Sequence, residues 1–272
     1  MVLAPAGFLD VAGHRLEYAH LGPQPNAAPT LVLLHEGLGC VGLWADFPER
    51  LQRATGCGVF VFSRAGYGAS SPVALPRPLD YMQREAVEVL PPLLDAIGFR
   101  TGVLVGHSDG ASIAAHHLGT IRDPRVEAAV LIAPHFLVED MCVAAIAEAK
   151  IAYETTDLRA KLARWHQEVD VAFFGWNGAW LDPQFKFWDI RDSLETVNRP
   201  MLVIQGADDQ YGTMIQVDTA VALSPAPVTT EILPGVRHSP HREAPDATVA
   251  AIARFFRAFP DLSVARSLGA PT

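Results

Sequence analysis

The segment Gly106-His107-Ser108-Asp109-Gly110 is where residue type and spacing point most directly to chemistry. It follows the apolar run TGVLV and precedes the helical pattern ASIAAHHLG, so the serine stands at a strand–turn–helix junction. At such a junction the flanking glycines relieve crowding in a tight turn, and the serine oxygen projects into a crevice at the carboxyl edge of a sheet. A hydroxyl held this way becomes a nucleophile once a base takes its proton and an acid orients that base. The chain has 10 histidines and 30 acidic residues from which to draw them. No histidine pair has a convincing metal-ligand spacing, and Cys40, Cys57 and Cys142 lie far apart with no CxxC motif. The cysteines therefore read as reduced and buried, and no metal is expected.

Over nearly its whole length the chain resembles the α/β-hydrolase family, in which the order is serine, acid, histidine. The resemblance implies that the acid follows the strand PMLVI, three residues after Gly206, which is Asp209. Asp208 is the neighbouring alternative, and Glu139 or Asp140, after the preceding strand, are the other candidates. The loop PGVRHSPHREAP resembles the family's histidine loop, in which the histidine precedes E-x-P by several residues. Glu243 and Pro245 then make His238 the base, with His241 a loop residue near the mouth of the site. The loop His35-Glu36-Gly37-Leu38-Gly39 resembles the family's H-G-G-x-G loop. Its Gly37 N–H, with Leu38 next, and the Asp109 N–H are the implied oxyanion donors. FSRAGYGASS resembles a loop reading D-x-R-G-x-G-x-S, with Ser63 where aspartate is common. It is expected to brace the site rather than to react.

Two side chains depart from the family pattern. Glu36 and Asp109 put carboxylates beside the two presumed donors, where an unpaired anion would oppose an oxyanion by Coulomb repulsion. Pairing that points them away, with Arg64 as one partner, is the expectation; handling water or a polar substrate group is the alternative.

The elements that must position these residues are legible as alternating patterns. FLDV and HRLEYAHL flank Ala12-Gly13 as an opening hairpin, and LVLLHE, GVFVFS, TGVLVGHS, VEAAVLIAP and PMLVIQG are continuous apolar runs. Such runs are strands buried on both faces. PVTTEILPG alternates, as an outer strand would. Between them residues 80–97, 109–119, 211–223 and 244–259 carry helical spacing, the first with Pro91-Pro92 expected to kink it. This is an α/β pattern, a doubly wound and mostly parallel sheet. Residues 135–199 break it with helical patterns at 141–153 and 157–168 and no buried-strand run. The expected division is a core domain of 1–134 and 200–272 with a helical cap, 135–199, inserted over the carboxyl ends of the strands. The tail after Pro260 is expected to fray.

Eight aromatic residues lie between Trp165 and Trp188. Phe173, Trp176, Trp180 and Trp188 are the candidates to line an apolar pocket for an acyl chain or ring. Half of the 272 residues are hydrophobic and the net charge is −9. That excludes disorder and argues against a nucleic-acid partner. No apolar run is long enough to cross a membrane, and no signal peptide opens the sequence, so a cytoplasmic chain is expected. The function this implies is a serine hydrolase of small apolar or aromatic esters, acting through an acyl-enzyme without a cofactor. A carbon–carbon hydrolase, a lactonase or an acyltransferase would use the same residues. A non-catalytic receptor on this fold is the remaining alternative, and oligomeric state is not legible.

Overall fold

The computed structural model describes residues 2–258, so the tail after Pro260 lies outside the described residues. Eight strands form one sheet: β1 (Ala6–Val11), β2 (His14–Leu21), β3 (Thr30–Leu34), β4 (Gly58–Phe62), β5 (Gly102–His107), β6 (Val126–Ile132), β7 (Met201–Gly206) and β8 (Val228–Leu233). Their order is β1-β2-β4-β3-β5-β6-β7-β8. β1 pairs antiparallel with β2 and β2 with β4, while every pairing from β4 to β8 is parallel. Every residue of β3, β4, β5 and β7 is buried, and β8, at the edge, is only partly covered.

Burial on both faces follows from strand alternation, since successive side chains enter opposite layers. Leu31 and Leu33 pack with Trp44, Leu51, Ile252 and Phe255, under helices Phe47–Thr55 and Pro245–Arg257. Val32 and Leu34 pack on the other face with Leu93, Leu118, Phe173 and Trp180. Each such side chain, fully removed from water, contributes roughly 1.5–3 kcal/mol. The second cluster runs from the sheet into the segment between β6 and β7, so those helices share the core of the domain.

That segment holds helices Asp140–Thr155, Leu158–Leu162, Val169–Trp180 and Arg191–Leu194. An isolated bridge between Leu137 and Asp189 closes its base. The helical pattern expected at 157–168 forms only one short helix, none of whose residues is fully buried, with Leu158 and Leu162 resting against the core. Helix Val169–Trp180 was not separately legible. It forms because Val169, Ala172, Phe173, Trp176, Ala179 and Trp180 fall on one buried stripe.

Residues 81–96 are helical as expected, but the turn before the prolines is wide. A π-helical stretch, Glu85–Val89, joins Tyr81–Arg84 to Leu90–Ala96. Pro91 and Pro92 lack an N–H, and their rings crowd the carbonyls four residues back, which a wider turn relieves. Among the described residues no helix is long and apolar enough to cross a membrane.

Candidate active site

Ser108 occupies the turn between β5 and helix Asp109–Thr120, with φ 52° and ψ −118°. A non-glycine residue there is strained by about 1–3 kcal/mol, and the surroundings must hold it. They do so by close approach. A Cβ on Gly106 would lie 2.3 Å from the Gly110 carbonyl oxygen, and one on Gly110 would lie 2.0 Å from that of Leu34. Only glycine fits either position, which is the physical content of the motif.

The structure brings Ser108, His238 and Asp209 together from the ends of β5, β8 and β7. The Asp209 carboxylate can only accept, so His238 Nδ1 carries the proton it donates, at 2.8 Å to Oδ2 and 3.0 Å to Oδ1. Nε2 is then the bare nitrogen, 2.9 Å from Ser108 Oγ. Asp209 also accepts from Gln205 Nε2 at 2.7 Å and from the Tyr211 N–H at 2.8 Å. Burial would raise its carboxyl, but the hydrogen bond and charge of His238, with the Tyr211 N–H, hold it below the usual carboxylate range.

The alternatives sit elsewhere. Asp208 is exposed, and Asp140 is exposed at the start of its helix. Glu139 accepts from the Thr213 N–H and hydroxyl and from Gln216, so it fastens the start of helix Met214–Leu223. His241 is not at the mouth of the site. Pro240 begins a short helix that turns its ring inward, where it is 3% exposed, 5.0 Å from the Trp44 ring and 4.6 Å from that of His107. Burial first, then the neighbouring His107, pushes His241 well below the ordinary histidine range.

A cavity of about 110 Å³ opens above Ser108 and His238. Of the expected aromatic residues, Trp176 and Trp180 line it; Phe173 and Trp188 do not. Phe173 stacks on Tyr153 at 3.7 Å within the core, and Trp188 stacks on Phe185 and donates its indole N–H to Gln83. The rest of the wall includes Gly37, Leu38, His135, Cys142, Ile146 and Tyr211. Sequence reasoning passed over His135 and Tyr211; their signal is position, just past the ends of β6 and β7. Burial brings His135 down to about 3, so its ring is neutral. Gly37 and Asp109 both border the cavity beside Ser108.

Of the two unusual carboxylates, Asp109 is paired and Glu36 has a histidine ring beside it. Asp109 accepts from the Tyr81 hydroxyl at 2.5 Å and lies 3.7 Å from Arg64 Nη2, with both charged side chains buried. Glu36 lies 3.4 Å from His107 Nδ1 without a hydrogen bond to it, a contact that is an ion pair only when that ring carries both protons. Burial would raise the Glu36 carboxyl, but His107 outweighs that and holds it well below the usual range. The His107 Nε2–H donates to the carbonyl of His238 at 2.8 Å, which ties the serine turn to the histidine loop. Among the described residues no group of three or more His, Cys, Asp or Glu side chains could hold a metal ion. No disulfide joins the three cysteines, all of which are buried.

The model of the alpha/beta hydrolase family matches residues 31–251. No curated protein matches the chain significantly in sequence. Among solved structures, a proline iminopeptidase from Mycobacterium smegmatis is 19% identical, with a TM-score of 0.72 over 94% of this chain and 99% of that one. An enol-lactonase from Burkholderia xenovorans is also 19% identical, with a TM-score of 0.70 over 92% of this chain and 100% of its own. A naproxen esterase from Bacillus subtilis is 17% identical, with a TM-score of 0.70 over 94% and 92%. Likeness at this level of identity concerns the fold.

Proposed function

The chain belongs to the alpha/beta hydrolase family, and from that premise we propose that it is a serine hydrolase of small apolar or aromatic carboxylic esters. The observation that carries this reading is the hydrogen-bonded line from Asp209 through His238 to Ser108, ending in a cavity walled by Trp176 and Trp180. His238 Nε2 takes the Ser108 proton as Oγ attacks the ester carbonyl. The tetrahedral oxyanion is held by the N–H groups of Gly37 and Asp109, and Asp209 stabilises the imidazolium that forms. His238 then protonates the leaving alcohol, and water activated by the same nitrogen releases the acid from the acyl-enzyme. On this reading residues 135–199 are a cap that covers the site, and 1–134 with 200–272 are the core that carries it.

Carbon–carbon, lactone and acyl-transfer chemistry would run on the same residues. The cavity wall favours the neutral ester over a carboxylate-bearing ring-cleavage product, since among the described residues no lysine or arginine lines it. A non-catalytic receptor would not turn over any ester. The test is intact-mass spectrometry after fluorophosphonate treatment of wild type and Ser108→Ala, beside a p-nitrophenyl ester chain-length series. One adduct, lost in the variant, together with steady turnover supports the proposal; no adduct and no turnover refutes it.

A further inference from the structure

The buried Arg64 is unused by the mechanism above, yet it joins both sides of the proposed oxyanion site. Its Nη2 donates to the carbonyl oxygen of Glu36 at 2.9 Å and to that of His35 at 3.3 Å. The Glu36 carbonyl takes two further donors, His35 Nδ1–H at 2.6 Å and the Gly39 N–H at 3.1 Å. In a trans peptide the N–H points opposite to the C=O. Fastening the Glu36 carbonyl toward Arg64 therefore turns the Gly37 N–H away from it, toward the cavity that Gly37 borders.

The guanidinium needs holding in its turn. Arg64 is 0% exposed, and its Nε and Nη1 have no hydrogen-bond partner among the described residues. The groups that offset its charge are the Asp109 carboxylate at 3.7 Å and the Tyr67 ring at 5.0 Å, with Glu85 beyond them. Asp109 is itself fixed by the Tyr81 hydroxyl, whose oxygen accepts the Trp180 indole N–H at 3.1 Å. The line runs from the cavity wall, through the residue after the nucleophile, to the loop that carries the second donor.

We propose that Asp109 is a positioning residue: its carboxylate holds Arg64 so that the Glu36–Gly37 peptide presents its N–H to the oxyanion, while its own N–H is the other donor. This inference rests on the reading of Ser108 as nucleophile given above. It also removes the objection to a carboxylate beside an oxyanion, because the buried pair with Arg64 carries no net charge. A bare anion there would act directly against the transition state.

The test is Asp109→Asn, which keeps the shape and the Tyr81 contact but removes the charge, beside Arg64→Lys. Both carbonyls are reached by the one terminal nitrogen Nη2, and the shorter lysine side chain ends its ammonium short of that position. Two ligands read the effect: a trifluoromethyl ketone, which adds to Ser108 and forms an oxyanion, and the matching methyl ketone, which binds without adding. In both variants kcat/KM and affinity for the trifluoromethyl ketone are expected to fall together by about 10- to 100-fold, less than the roughly 10²- to 10³-fold of a donor removed outright, because the Gly37 N–H is displaced rather than deleted. Affinity for the methyl ketone should stay within about twofold. If Arg64→Lys does not fold, Asp109→Asn decides. If neither folds, Tyr81→Phe, which loosens the carboxylate, should lower the same two quantities selectively by a smaller factor. Unchanged kcat/KM and ketone affinity in folded variants would overturn the inference, as would parallel loss of both ketones, which marks a loosened pocket. A wild type that forms no Ser108 adduct would instead remove the nucleophile reading itself.

Discussion

Replacing Asp209 with Asn tests the electrostatic half of the proposed mechanism with little change of shape. The carboxylate lies 2.8 Å from His238 Nδ1. At an effective dielectric constant of about 20, a unit charge at that distance stabilises the imidazolium by about 6 kcal/mol. At 1.36 kcal/mol per decade this is a fall in kcat of about 10⁴-fold, the scale found when a triad aspartate is replaced by asparagine in a serine protease. The fold should survive. Asparagine can keep its oxygen toward His238 and the Tyr211 N–H, and its amide can meet Gln205 once that side chain turns its Oε1, which has no partner among the described residues, toward it and gives up its bond to the Gly212 carbonyl. The assay is steady-state kcat on a p-nitrophenyl ester, with a thermal melt to establish folding. A folded Asp209→Asn enzyme within tenfold of wild type would refute the reasoning. It would mean that His238 gathers no charge in the transition state, since Glu139, the nearest sequence alternative, is committed to Thr213 and Gln216.

Acid should unfold the protein through its buried imidazoles. Burial holds His35 and His241 well below 6.5 and brings His135 to about 3. The unfolded chain therefore takes up protons that the native protein refuses, and the stability present above pH 6.5 is lost as pH falls. Between pH 7 and 5.5 the loss is on the order of 1 kcal/mol for each ring, read as a lower urea midpoint; an unchanged midpoint would contradict it. Trp176 presses on Gly37, where a Cβ would come within 2.2 Å of the indole. Trp176→Ala should shift the optimal acyl chain longer by about two or more methylenes in the ester series, and an unmoved optimum would place the acyl group elsewhere.

The strands and the serine turn were legible because each rests on a short-range rule. A strand buried on both faces must be largely apolar, as TLVLL and GVFVF are. A turn as tight as that at Ser108 must have glycine at 106 and 110. What escaped depends on contacts far apart in sequence. Phe173 and Trp176 are both aromatic and share a helix, yet one stacks in the core and the other walls the cavity. The partner of Asp109 is Tyr81, 28 residues earlier, and no local pattern marks that tyrosine as different from any other apolar helical position. His241 looked like a loop residue because nothing in HSPHRE announces that Trp44 and Phe47 will enclose it.

The wide turn at Glu85–Val89 has a consequence for how this chain can vary. Each residue added to or removed from a helix rotates everything beyond it by about 100°. Tyr81 lies on one side of the wide turn and Leu90, Leu93 and Leu94 on the other, and all four are buried. The widened turn thus acts as a phase shifter that lets two stretches of one rod face the same wall. Shortening it by one residue would give a more regular helix, yet with the leucines seated it would swing the tyrosine hydroxyl off the Asp109 carboxylate. Insertions and deletions between 85 and 89 should therefore be far less tolerated than substitutions at the exposed Val87 and Glu88.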